Sequence, residues 1–194
     1  TLKHKEHQYK KLFWFYGKFI ALCILAGWGS GLFSLATDRI FILFHTFYQQ
    51  HPWGVLFLTP ITFMIIMFLL KNSFPYAGGS GLPQGYALNV YDRMSLYATY
   101  SVWTMVGKVL LTLLSIGSGA ALGREGPTIQ ICASIFGSMK NVSLSRKKLL
   151  IRIGSGIGVA TAFNAPLGGI IFALEEYLKV SNIRINTILL VGVA

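Results

Sequence analysis

Acid is scarce in this chain: six Asp and Glu against 17 Lys and Arg, for a formal net charge of +11 over 194 residues. Charged residues make up 12% of the total, about half of the roughly 25% in a typical soluble domain. With 54% apolar residues beside so little charge, the chain is neither disordered, nor acidic, nor an ordinary water-soluble domain. Nucleic-acid binders spread their basic residues through a polar background. Here they stand between long apolar runs, so nucleic acid is not an expected partner and a lipid bilayer is. Cysteine is scarce too, with two residues, Cys23 and Cys132, each inside an apolar run. That excludes a disulfide framework and predicts buried, inert thiols. The four histidines lack metal-ligand spacing and no nucleophile–base set stands out, so neither a metal, a cofactor nor an enzyme is expected.

What is present is apolar length. In a bilayer 194 residues permit about six to eight helical segments, at roughly 20 residues for each full span. Residues 1–11 form a basic segment, too polar to be the core of a signal peptide and followed by too long an apolar stretch. The 19 residues between Lys18 and Asp38 and the 31 between Arg39 and Lys71 are uncharged. They predict a long first helix over about 12–48 and a second over about 54–71. Phe13, Trp14, Phe15 and Tyr16 read as an interfacial aromatic belt. The basic clusters at 3–11 and at Lys140, Arg146, Lys147, Lys148 and Arg152 should both face the cytoplasm. The chain starts at Thr1 and stops within the apolar run Thr187–Ala194 without a helix stop signal, so a fragment of a longer protein is expected.

Beyond residue 72 the spans are broken. Residues 72–93 hold Pro75, Gly78, Gly79, Gly81, Pro83 and Gly85, and the later charge-free windows are short or interrupted. Helices broken by Gly, Pro and Asn at membrane depth are tolerated where they are buried or line a cavity. Transporters use such discontinuous helices to aim helix ends at a substrate.

Four segments carry the chemistry. In Gly78-Gly79-Ser80-Gly81-Leu82-Pro83, glycine lets the backbone approach closely and Ser80 offers a hydroxyl, which makes either an anion cradle at a helix N-terminus or a plain turn. In Gly123-Arg124-Glu125-Gly126-Pro127, Pro127 suits a helix start and sets Glu125 at its positive end. A carboxylate there can act as a tethered competitor of a small anion, leaving when protonated and returning when ionised; the alternative is a solvated, capped helix end. Gly154, Gly158 and Ala162 have the spacing that packs membrane helices backbone to backbone. Asn164-Ala165-Pro166 should then break one helix and start another. Glu175-Glu176 closes the apolar run Leu167–Leu174 as an interfacial cap or as a proton-relay acid. The remaining acids, Glu6, Asp38 and Asp92, read as lying near segment ends.

Taken in order, GGSGLP, GREGP, AFNAPLGG and LEE resemble the CLC family of chloride channels and proton-coupled chloride antiporters, from about residue 18 to the end of the chain. The resemblance implies an all-α, polytopic membrane protein with tilted and discontinuous helices. Residues 1–194 would be the N-terminal one of two inverted repeats in a subunit that pairs as a homodimer. The C-terminal half of the same protein would be needed to complete the pore. By the same resemblance Ser80 coordinates chloride, and Gly81 and Gly126 lie at helix ends that present N–H groups to it. Glu125 is the gating glutamate, Glu176 the inner proton-transfer acid of the antiporters, and Lys108 a cation that raises the local potential. Leu82 and Gln84 replace the usual isoleucine and glutamate of the first motif, and serine at position 80 favours chloride over nitrate. The function implied is exchange of chloride for protons, with a passive chloride channel or a membrane scaffold as alternatives. The location implied is a multi-pass one, in the bacterial inner membrane.

Overall fold

The computed structural model describes residues 2–79, 93–140 and 142–181. Among them there are seven α-helices and no strand. The first, α1, is continuous from Leu2 to Gln50. It starts about ten residues earlier than the apolar pattern predicts, because Leu2–Leu12 contains neither glycine nor proline and is built from good helix formers. Its apolar part, Tyr16–Gln50, is 35 residues long. At 1.5 Å per residue that is about 52 Å, far more than the ~30 Å hydrocarbon core, so α1 crosses obliquely or projects beyond it. After a 3-10 turn at Pro52–Gly54, α2 covers Val55–Asn72, one residue from the predicted limits. These two are the described helices long and apolar enough to cross a membrane.

The rest is short pieces: α3 (Arg93–Thr99), α4 (Val102–Gly117), α5 (Glu125–Gly137), α6 (Leu144–Ala162) and α7 (Pro166–Ser181). The 13 residues of α5 reach about 20 Å and cannot span. Instead α5 is the buried centre, packed on α6, α1 and α4, while α7 packs on α6. Ten of its residues, Pro127 through Ser134 with Phe136 and Gly137, are buried. Small residues set this packing. A Cβ on Gly154 would lie 2.8 Å from the Cys132 carbonyl oxygen, and one on Gly158 would lie 2.5 Å from the Ile129 Cα. The small-residue spacing read from the sequence therefore serves the α5–α6 contact. A Cβ on Gly169 would meet the Gly156 carbonyl, which seats α7 on the other side of α6.

Helix ends follow from local chemistry. The Ser101 hydroxyl accepts the Thr104 N–H at 3.1 Å and opens α4; the Ser143 hydroxyl accepts the Arg146 N–H at 3.4 Å and opens α6. Between α6 and α7 the chain turns at Asn164, whose φ of 51° is the left-handed value that asparagine tolerates. Two expectations need correction. Glu175 and Glu176 do not end α7, which continues to Ser181, because no breaker follows them before that point. Asp38 is not near a segment end but inside α1, twelve residues before its last residue. Of the two thiols, Cys132 is fully buried and Cys23 half-buried.

Candidate functional site

Two loops carry the candidate residues, and in each a cation from this chain ties the backbone to a neighbouring helix. The first follows α2. Phe74 occupies the space that a Gly107 side chain would need on α4, and its ring lies 5.1 Å from that of Trp103. The Trp103 indole N–H donates to the Ser73 carbonyl at 3.0 Å. Gly79 then turns with φ of 74°, a conformation that favours glycine. From α4, Lys108 reaches this loop. Its side chain is 3% exposed, and its ammonium donates to the carbonyl oxygens of Ala77, at 2.9 Å, and of Gly79. A buried ammonium is costly unless its charge is met; here backbone carbonyls meet it, one of them in the residue before Ser80. Ser80 and Gly81, the predicted anion ligands on this loop, lie outside the described residues, as do Leu82 and Gln84.

The second loop, Ser118–Arg124, precedes α5. Glu125 is the first residue of α5 and Gly126 the second. Pro127 therefore stands third rather than first, still within the turn whose N–H groups have no partner inside the helix. Since Pro127 has no N–H, the free donors of this turn are those of Glu125 and Gly126. The Glu125 carboxylate folds back over Gly123: a Cβ on Gly123 would collide with Oε2. It lines a cavity of about 290 Å³ with Thr37, Asp38 and Phe41 of α1, Ile116 of α4, and Leu122 to Arg124.

Arg124 is an exposed loop charge, its side chain 46% exposed, but it is not an unpaired one. Its Nη1 donates to the Asp38 carboxylate at 3.0 Å and to the Ser34 hydroxyl at 2.9 Å, both on α1. Asp38 is the residue that sequence reasoning missed. The signal available was an adjacent Asp38-Arg39 pair between two uncharged apolar runs, whose acid at membrane depth calls for a partner. The partner is 86 positions away. The last predicted acid, Glu176, sits on α7 at its eleventh position, and its side chain lies outside the described ones.

The geometry is that of a helical membrane protein whose short inner helix starts at an open cavity with a carboxylate at its positive end. The comparisons with known proteins agree. The family profile described as voltage gated chloride channel matches residues 62–194, which is most of the chain. The chain belongs to that family, the CLC family, and is a membrane protein of it. It is 32% identical over 114 residues to the H(+)/Cl(-) exchange transporter 3 of Homo sapiens, covering 56% of this chain and 14% of that protein. With the H(+)/Cl(-) exchange transporter 5 of Sus scrofa it shares 29% over 154 residues, 76% of this chain and 18% of the relative. A probable chloride channel protein of Mycosarcoma maydis is 36% identical over 121 residues, 56% of this chain and 10% of its own. The chain thus spans less than a fifth of the length of these relatives.

Proposed function

We propose that the chain is the N-terminal repeat of a subunit that exchanges chloride for protons. One observation carries this reading. Glu125 opens a buried helix at its positive end, with its carboxylate folded over Gly123 into an open cavity instead of being tied to a counter-ion. An ionised carboxylate there takes the place that the helix terminus offers to an anion. Protonated, it loses that attraction and vacates the place for chloride. One side chain therefore gates the anion and carries the proton.

In this reading Ser80, Gly81 and Gly126 supply chloride with a hydroxyl and backbone N–H groups. Lys108 fixes the Ser80 loop, and Glu176 delivers protons from the cytoplasmic side. The pore is completed by the second half of the same protein, and two subunits pair in the bilayer. Two of the relatives are named as H(+)/Cl(-) exchange transporters, which favours exchange. The sequence also led to an expectation of the bacterial inner membrane; the relatives named above are mammalian and fungal, so the proposal stays with a multi-pass position in a membrane. A passive chloride pathway is the second reading, favoured by the fungal relative's name.

Vesicles holding the full-length protein separate the two. Chloride flux that drives proton movement, with a reversal potential displaced from the chloride value, is the result expected for exchange; reversal at the chloride value means a channel. Replacing Glu125 by Gln should leave chloride binding in place and stop the coupled proton movement. Proton flux at unchanged stoichiometry in that variant would remove Glu125 from the role.

A further inference from the structure

We propose that Asp38 and Ser34 of α1 are positioning residues for Glu125: they hold the Arg124 guanidinium away from it and anchor the loop on which it moves. This rests on the gating reading of Glu125 above.

Arg124 and Glu125 are adjacent, and the free guanidinium would be the nearest counter-ion for the carboxylate. Paired with Glu125, it would oppose both steps that a gate needs, protonation and departure from the helix end. The structure sends that charge elsewhere. Asp38 and Ser34 are four residues apart and so lie on one face of α1, and both bind the same nitrogen, Nη1. Asp38 gains from this as well, because an acid inside an apolar membrane helix is expensive without a partner.

The pairing also fixes the backbone. Arg124 gives its carbonyl to the N–H of Thr128 at 3.1 Å and to the Thr128 hydroxyl at 2.8 Å, so it is locked to the first turn of α5. On the other side, Ala120–Gly123 belongs to no helix. The tether to α1 therefore adds a side-chain anchor next to Glu125, beside the Thr59 hydroxyl that holds the other end of the loop at the Ser118 carbonyl. Around the cavity the charged side chains are Asp38, Arg124 and Glu125, and α4 contributes Ile116. Arg39 is adjacent to Asp38 on α1, about 100° around the helix, and does not line that cavity.

The test is a mutant cycle in the full-length protein reconstituted in vesicles. Asp38→Asn should slow chloride-driven proton exchange about two- to fivefold, the size of coupling found for an exposed ion pair. Asp38→Glu should recover most of the rate. Ser34→Ala, which keeps the ion pair and guards against a variant that fails to fold, should lose about two- to threefold, the weight of one hydrogen bond. In a Glu125→Gln background neither Asp38→Asn nor Ser34→Ala should slow chloride flux further, since the group they serve is gone. Equal losses in both backgrounds would overturn the proposal and leave Asp38 a folding residue. So would Asp38→Glu that is as slow as Asp38→Asn. If Glu125→Gln alone keeps its proton coupling, the gating reading falls and the positioning role falls with it; that failure differs from the others because it is read in the single variant.

Discussion

In the proposed reading Lys108 acts on the anion site through the loop that precedes Ser80. Its ammonium donates to the carbonyls of Ala77 and Gly79. Carbonyl oxygens turned toward an anion would repel it, so a cation that gathers them favours anion binding twice, by its charge and by the orientation it imposes. Lys108→Met keeps the length of the side chain and removes both effects. Hydrogen bonds to charged groups contribute about 1.5–3 kcal/mol. The expected result is chloride affinity lower by about tenfold or more, read by titration calorimetry of the purified full-length protein, with its thermal midpoint also lowered. Unchanged affinity would mean that the Lys108 clamp does not reach the ligands at Ser80. The sequence named Lys108 only through the family resemblance, because nothing local distinguishes a lysine that is buried from one that snorkels. Asp38 was still less legible. Its importance comes from a contact 86 residues away, which neither charge patterning nor periodicity can supply.

At the scale of elements, α5 is legible in its start and not in its surroundings. Gly-Pro after a charged pair fixes where the helix begins to within two residues, since proline is tolerated only in the first turn. That a 13-residue helix carrying buried Gln130 and Ser134 on one face should be the centre of the bundle comes from its partners. Gly154 and Gly158 on α6 let two backbones meet, and this pairing was readable only as a spacing without an address. The extent of α7 was missed for a different reason. Glu175-Glu176 marks the end of apolar sequence, whereas a helix ends where caps or breakers intervene, and none does before Ser181. The α5–α6 contact carries its own prediction. Gly158→Val places atoms where Ile129 Cα already stands, 2.5 Å from the new Cβ, and no side chain can swing aside to admit them. Overpacking of this kind costs about 1–3 kcal/mol or more. Ile129 is four residues from Glu125, so displacement of α5 reaches the gate. A clear fall in thermal midpoint together with loss of exchange is expected, while Gly17→Ala, with open space around it, should be neutral or slightly stabilising. Equal midpoints for the two variants would show that α5 and α6 do not meet so closely.

For the molecule as a whole, the two contacts between α1 and α5 define a direction across the membrane. Asp38 pairs with Arg124 at the start of α5, and Phe19 packs edge to face on Phe136 near its end, with ring centroids 5.5 Å apart. The two helices therefore run antiparallel. The basic residues before Phe19 and those after Gly137 (Lys140, Arg146, Lys147, Lys148) come to the same side of the molecule, although more than 100 positions separate them in sequence. Two clusters on one side strengthen the positive-inside argument far beyond either alone, because each would otherwise orient its own neighbouring helices independently. Glu125, Asp38 and the cavity between them then lie toward the opposite, outer side. Impermeant maleimide labelling of single cysteines checks this arrangement. Gln50→Cys at the end of α1 should react from outside intact cells; Ser145→Cys, exposed in the first turn of α6, should react only after permeabilisation. Each is compared with the parent protein, in which the thiol of Cys132 is buried. The reverse pattern would turn the molecule over and put the Glu125 cavity on the cytoplasmic face. Labelling of both from outside would break the α1–α5 antiparallel pair, and with it the common side on which the cationic excess of this acid-poor chain is gathered.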